Sequence, residues 1–141
     1  PDGESKAGTD AAGSPRSYAS MTYAGLLSFI YANVDKEDER VQAAFKWITE
    51  HFTLEENYGM GAQGLYYHYH TMAKALRLYN QSTFVDAKGI SHDWYREFAE
   101  KLIELQQSDG SWVNENSRWM ERDPSLVTAY VILGLNTAYP K

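Results

Sequence analysis

Five stretches of this chain have helical apolar periodicity, and they alternate in kind. Met21–Val34, Leu65–Tyr79 and Ser125–Ala138 are apolar or small nearly all round, with Lys74 and Arg77 near the far end of the second. Asp38–Phe52 and His92–Gln107 carry a single stripe: Val41, Phe45, Ile48 and Phe52 in one, Trp94, Phe98, Leu102 and Leu105 in the other. Those positions recur at the spacing of one helix face. A helix apolar on all sides must be covered on all sides, whereas a one-striped helix leaves its other face in water. Alternation of the two along a chain is what a double-walled ring of helices requires, with inner and outer helices in turn. The alternative is a four- or five-helix bundle, in which each helix would show one stripe.

Internal similarity supports the ring. Thr22-Tyr23-Ala24, His70-Thr71-Met72-Ala73 and Thr128-Ala129-Tyr130 occupy comparable places in the three all-apolar stretches. Ala24 and Ala73 are 49 residues apart and Ala73 and Ala129 are 56 apart. One repeat is therefore an outer–inner helix pair, a unit that cannot bury its faces alone. Residues Pro1 to Arg16 are rich in Gly, Ala, Ser and Asp without periodicity and read as loop. Asp109-Gly110 precedes Thr128 by 19 residues and Asp2-Gly3 precedes Thr22 by 20, so Pro1-Asp2-Gly3 reads either as the remnant of an earlier repeat turn or as a linker scar. Residues 17–141 form one domain by length.

The turn that closes the second amphipathic helix is the most specific motif. Gln106-Gln107-Ser108-Asp109-Gly110-Ser111-Trp112 reads Q-x3-G-x-W, and fourteen residues after Trp112 the last apolar helix is under way at Leu126. Gly110 can take the left-handed conformation that stops a helix. Asp109 can bond its own backbone, and Trp112 packs a large apolar face where its N–H finds a partner. This order of outer helix, QW turn and buried helix resembles the repeat of squalene and oxidosqualene cyclases and of protein prenyltransferase β subunits. The resemblance runs from Ser17 onward and implies an all-α fold, an α/α toroid, present here as a partial ring of about five helices from the C-terminal part of a larger one. It implies an apolar ligand class. It also implies that Gln106, with Gln107 as fallback, bonds backbone at a neighbouring helix end while Trp112 stacks over it. The other repeat boundary, Phe52 to Gly64, lacks the motif.

Composition removes several functions. The formal charge of −6 argues against nucleic acid, whose phosphates are bound by Lys and Arg. No apolar run reaches the length of a membrane span. Zero Cys excludes disulfides, thiolate metal ligands and thiol nucleophiles. Neither the D-x-D-D nor the D-C-T-A acid motif of the cyclases occurs; the nearest string, Asp35-Lys36-Glu37-Asp38, reads as a solvated helix start. His68 and His70 lie two apart, about 200° around a helix, and cannot chelate one metal together. Tyr69-His70-Thr71 resembles the string in which farnesyltransferase β subunits hold a zinc-ligand histidine. The aspartate and cysteine that complete that site have no match, so neither metal nor cofactor is expected.

Tyr66 and His70 are four apart on one helical face, continued by Ala73 and Arg77. The more apolar stripe Leu65, Tyr69, Met72 and Leu76 is expected to pack on the wall, leaving Tyr66 and His70 aimed at the ring's centre with Tyr23 and Tyr130 as companions. Aromatic faces of this kind pack apolar chains and attract cations; ordinary core packing of the same rings is the other reading. The functional expectation is a terpenoid cyclase- or prenyltransferase-like domain that binds an isoprenoid or other long apolar molecule and packs against the remainder of its own chain, with enzyme status open. The alternative is a protein-binding or structural toroid. Ser111-Trp112 followed by Val127-Thr128-Ala129-Tyr130-Val131 also resembles the repeats of complement-type thioester domains, without their G-C-G-E-Q motif. An aromatic-lined polar cleft for glycan is a third reading.

Overall fold

The computed structural model describes Gly8, Thr9 and residues 11–139, so the reading of Asp2-Gly3 lies outside the described residues. Within them the chain forms α1 (Ala19–Tyr31), α2 (Glu39–Glu50), α3 (Leu65–Leu78), β1 (Thr83–Val85), β2 (Ser91–Asp93), α4 (Trp94–Leu105) and α5 (Pro124–Ala138). All five expected helices are present and the fold is mostly helical. The all-α expectation missed a small antiparallel hairpin in which Phe84 pairs with His92. Asp86 organises its turn by accepting from the Lys88 and Ile90 N–H groups at 2.9 and 2.8 Å. Buried Phe84 plugs the hairpin against Phe45 and Phe52. His92, expected to begin the fourth helix, belongs to β2 instead, because Asp93 caps α4 and so sets its start.

Caps and stops explain the helix ends. Asp38, Asp93 and Asp123 accept N–H bonds at the starts of α2, α4 and α5, and Pro124 takes the first turn of α5, where its missing N–H costs nothing. Neither α1 nor α3 has a side-chain cap of its own. Both end on an asparagine with positive φ: Asn33 at 53° and Asn80 at 57°. The following N–H reaches back in each case, Val34 to Phe29 and Gln81 to Leu76, which is the left-handed helix stop. The two helices thus end alike, although they begin on different backbone, extended at Tyr18 and left-handed at Gly64.

α3 lies between α1 and α5, and α2 packs on α1. The three run parallel. Asn57 ties the N-terminal ends of α1 and α3 together, and Lys36, just after α1, donates to the Tyr79 carbonyl at the far end of α3. Tyr130 meets Tyr67 and His70, while Ala138 and Leu76 line one cleft at the opposite end. On the outer side Phe98 of α4 comes so close to α5 that a Cβ at Gly134 would be 3.2 Å from its ring. α3 is covered as expected, with Tyr69, Met72, Ala73 and Leu76 fully buried. α5 is not. Val127, Val131, Gly134 and Ala138 face the core, but Ile132 and Leu133 are 57% and 51% exposed. Among the described residues α5 packs on one side only, so its all-round apolar character exceeds what this part of the chain covers.

Candidate functional site

The QW turn forms, with one departure from expectation. Gly110 has φ of +85°, and Gln107, Ser108, Asp109 and Gly110 close a turn through the Gly110 N–H to Gln107 carbonyl bond. Trp112 is buried, donates its indole N–H to the Leu102 carbonyl at 2.7 Å and its backbone N–H to the Thr128 hydroxyl oxygen at 3.2 Å. The tryptophan therefore joins α4 to α5. Gln106 does not reach a neighbouring helix. It is exposed and donates to the Gly110 carbonyl at 2.9 Å, closing its own loop. Once α4 ends at Leu105, extended backbone at Gln106 turns the side chain back over the loop.

At the N-terminal ends of α1 and α3 lies a cleft of about 360 Å³. It is lined by four aromatic residues, Tyr18, Tyr67, Trp119 and Tyr130, by Met21 and Met60, and by Ser20, Asn57, Gln63, Gly64 and Glu121. Among the lining residues, Asn57 and Glu121 are buried polar side chains. Asn57 accepts from the Ser20 N–H at 3.0 Å and donates to Ser20 Oγ and the Gln63 carbonyl, so a loop residue caps α1 from outside. Glu121, fully buried, accepts from the Tyr67 N–H at 2.8 Å and from the Asn114 amide at 2.7 Å. That carboxylate caps α3 across 54 positions of sequence, where the helix dipole favours negative charge. The loop that leads into α3 thus caps α1, and the loop that leads into α5 caps α3.

Trp119 reaches the cleft from a strained turn. Trp119 and Met120 have φ of 65° and 64° in succession, a left-handed conformation that side chains with a Cβ resist. Gly64, itself at φ +65°, lets the indole approach: a Cβ there would be 3.5 Å from Trp119 Cδ1. Strain of this kind persists only where surrounding structure imposes it, and here it sets an indole against the cleft.

Of the four residues expected at the centre of the ring, Tyr130 lines this cleft and Tyr66, His70 and Tyr23 do not. His70 stacks on Tyr130 with ring centres 5.7 Å apart, so those two are together. Burial, and then the charge of Lys74, lowers the His70 pKa. Tyr66 is buried edge-on against Tyr69, and burial followed by the Glu121 charge pushes its phenol up to about 12. Tyr23 is buried beside His68, ring centres 5.5 Å apart, and burial raises its pKa as well. The phase expected for α3 is therefore one residue off: Tyr67, not Tyr66, faces the cleft. Sequence reasoning also missed Trp119, Asn57 and Glu121.

His68 is the other unexpected group. It is buried against Tyr23 and Tyr69, neither ring nitrogen makes a well-aligned hydrogen bond, and burial, opposed by a weaker backbone contact at Thr53, lowers its pKa to about 4. Among the described residues no group of three or more His, Asp or Glu is arranged to hold a metal ion, and no helix is long and apolar enough to cross a membrane. Comparison with protein-family models, curated proteins and solved structures finds no match.

Proposed function

We propose that this chain is part of an α/α toroid of the terpenoid cyclase and prenyltransferase kind, and that its cleft binds an isoprenoid or another long apolar molecule. The observation that carries the reading is the cleft itself: four aromatic rings and two methionines around about 360 Å³, at the aligned N-terminal ends of parallel inner helices. Concave, mostly apolar sites with a few convergent polar groups are where small molecules bind. Ring faces and thioethers adapt to a hydrocarbon chain without demanding one shape. The parallel order of α1, α3 and α5, the repeated helix stops and the outer placement of α2 and α4 all support the toroid. The proposal assigns binding and no catalytic step.

A titration tests it. Tryptophan fluorescence followed against farnesene should saturate, and Tyr67→Ala and Tyr130→Ala should weaken binding about tenfold each, as loss of a buried ring face implies. Ile132→Glu, outside the cleft, should bind as the parent does. Equal, weak binding by all four proteins would overturn the reading and favour the protein-binding one. One observation speaks for that second reading: α5 exposes Ile132 and Leu133. Since α5 packs on α3 as α3 packs on α1, the occupant suited to this face is a further helix pair of the same kind.

A further inference from the structure

A second cleft, of about 300 Å³, lies at the opposite end of the helices, where α3 and α5 stop and α4 begins. Its hydrogen-bonding side chains are reachable from solvent and largely unspent. Asn80, Ser82 and Asp93 are exposed and Arg77 is half-buried. Among the described residues the side chains of Arg77, Asn80 and Ser82 make no hydrogen bond or ion pair. Asp93 holds only the Arg96 N–H, through one oxygen at 3.3 Å, and its other oxygen accepts no bond. A place in the last turn of α3 suits the charge of Arg77 but gives it no partner.

Donors and acceptors define the ligand. Arg77 can only donate and the Asp93 carboxylate can only accept, while Asn80 and Ser82 do both. The charges balance. An anion would gain Arg77 and the start of α4 but meet Asp93 and the ends of α3 and α5, and a cation would meet the reverse. A hydroxyl group donates and accepts at once, so a molecule with several of them satisfies Arg77 and Asp93 together without a net charge. Half-buried Tyr95 lines the same cleft, and its apolar face suits the C–H side of a sugar ring. We infer that this cleft binds a neutral saccharide, with Arg77, Asn80, Ser82 and Asp93 engaging its hydroxyls and Tyr95 packing against its ring. The site is separate from the apolar cleft at the N-terminal ends of α1 and α3.

The test is amide chemical-shift mapping of the labelled chain at pH 6. Glucose, galactose, mannose and N-acetylglucosamine serve as neutral probes, and glucuronate and glucosamine carry opposite charges on one ring. At least one neutral sugar should give saturating shifts confined to residues 76–82 and 93–95. It should bind about tenfold more tightly than either charged probe. Arg77→Met, which keeps most of the stem, should weaken that sugar about tenfold and move the preference to glucosamine. Asp93→Asn, whose amide oxygen can still cap α4, should weaken it similarly and move the preference to glucuronate. Both variants should melt close to the wild-type midpoint and bind farnesene as wild type does. Shifts that are absent, or scattered over the surface, for every neutral sugar would overturn the inference. Tightest binding of glucuronate or glucosamine by wild type would overturn it too, since one charge would then dominate the cleft. Unchanged sugar affinity in both variants would contradict the assignment. None of these results bears on farnesene at the other cleft, so the two readings fail separately.

Discussion

Part of this protein's loss of stability in acid should come from one residue. His68 is fully buried, its ring nitrogens make no well-aligned hydrogen bond, and its pKa falls from 6.5 to about 4 because charging it would place an imidazolium among Tyr23 and Tyr69, a cost that the backbone contact at Thr53 offsets only in part. The unfolded chain takes up the proton first. Stability contributed by neutral His68 is therefore fully present above pH 6.5, declines as pH falls from 6.5 towards 4, and is gone below. The separation of the two pKa values corresponds to about 3 kcal/mol at 1.36 kcal/mol per pH unit, a large part of the stability of a domain this size. The assay is urea unfolding of wild type and His68→Phe between pH 7 and pH 4, followed by circular dichroism. His70, whose pKa burial also lowers, titrates in both proteins and cancels in the difference, as do the carboxylates. Wild type should lose about 3 kcal/mol more than His68→Phe across that interval. At pH 7 the variant should be close to wild type in stability, since a buried ring is kept and only poorly paired nitrogens are removed. Parallel pH dependences for the two proteins would refute the reasoning.

Other perturbations bear on the turn, the cap and the cleft. Trp112→Ala should cost about 3 kcal/mol, for a buried ring and its bond to Leu102 are lost together; an unchanged thermal midpoint would deny the turn any structural role. Gly110→Ala should cost roughly 1 kcal/mol in the same melts, because space is open around it and only the positive φ opposes a Cβ. Glu121→Gln should destabilise by about 1–3 kcal/mol in urea, since an amide turned towards Asn114 sets donor against donor and removes the charge that caps α3. Trp119→Gly should leave the melting midpoint close to wild type, by relieving a positive φ, while weakening farnesene binding about tenfold; a matched loss of stability and binding would make the indole a packing residue.

Much of the architecture is legible in the residues, for reasons that also mark where legibility ends. Stripes such as Val41-Phe45-Ile48 and Trp94-Phe98-Leu102 announce helices with one wet face, and Phe98 and Ile48 are among the most buried side chains. The hairpin carried a signal, the β-prone Thr83-Phe84-Val85 followed by a turn with Gly89 at φ +82°, but it is too short for periodicity to register. The phase of α3 could not be read: Tyr66, Tyr67, His68, Tyr69 and His70 put aromatic rings on every side of its first turns, so nothing in the order of residues separates a core tyrosine from one that faces a cleft. Asn57 and Glu121 act by capping helices 37 and 54 positions away, contacts that only the folded chain creates. Trp119 owes its place to a backbone conformation no local preference favours.

The most direct test of the central proposal is where a long apolar molecule settles on the protein. Amide chemical shifts of the labelled chain, followed during titration with farnesol, report that position residue by residue. The account predicts that the perturbed amides cluster at Tyr18 to Met21, Met60 to Tyr67 and Trp119 to Glu121, around the cleft. Shifts concentrated instead along Ala129, Ile132 and Leu133 would place the molecule on the exposed face of α5 and contradict it.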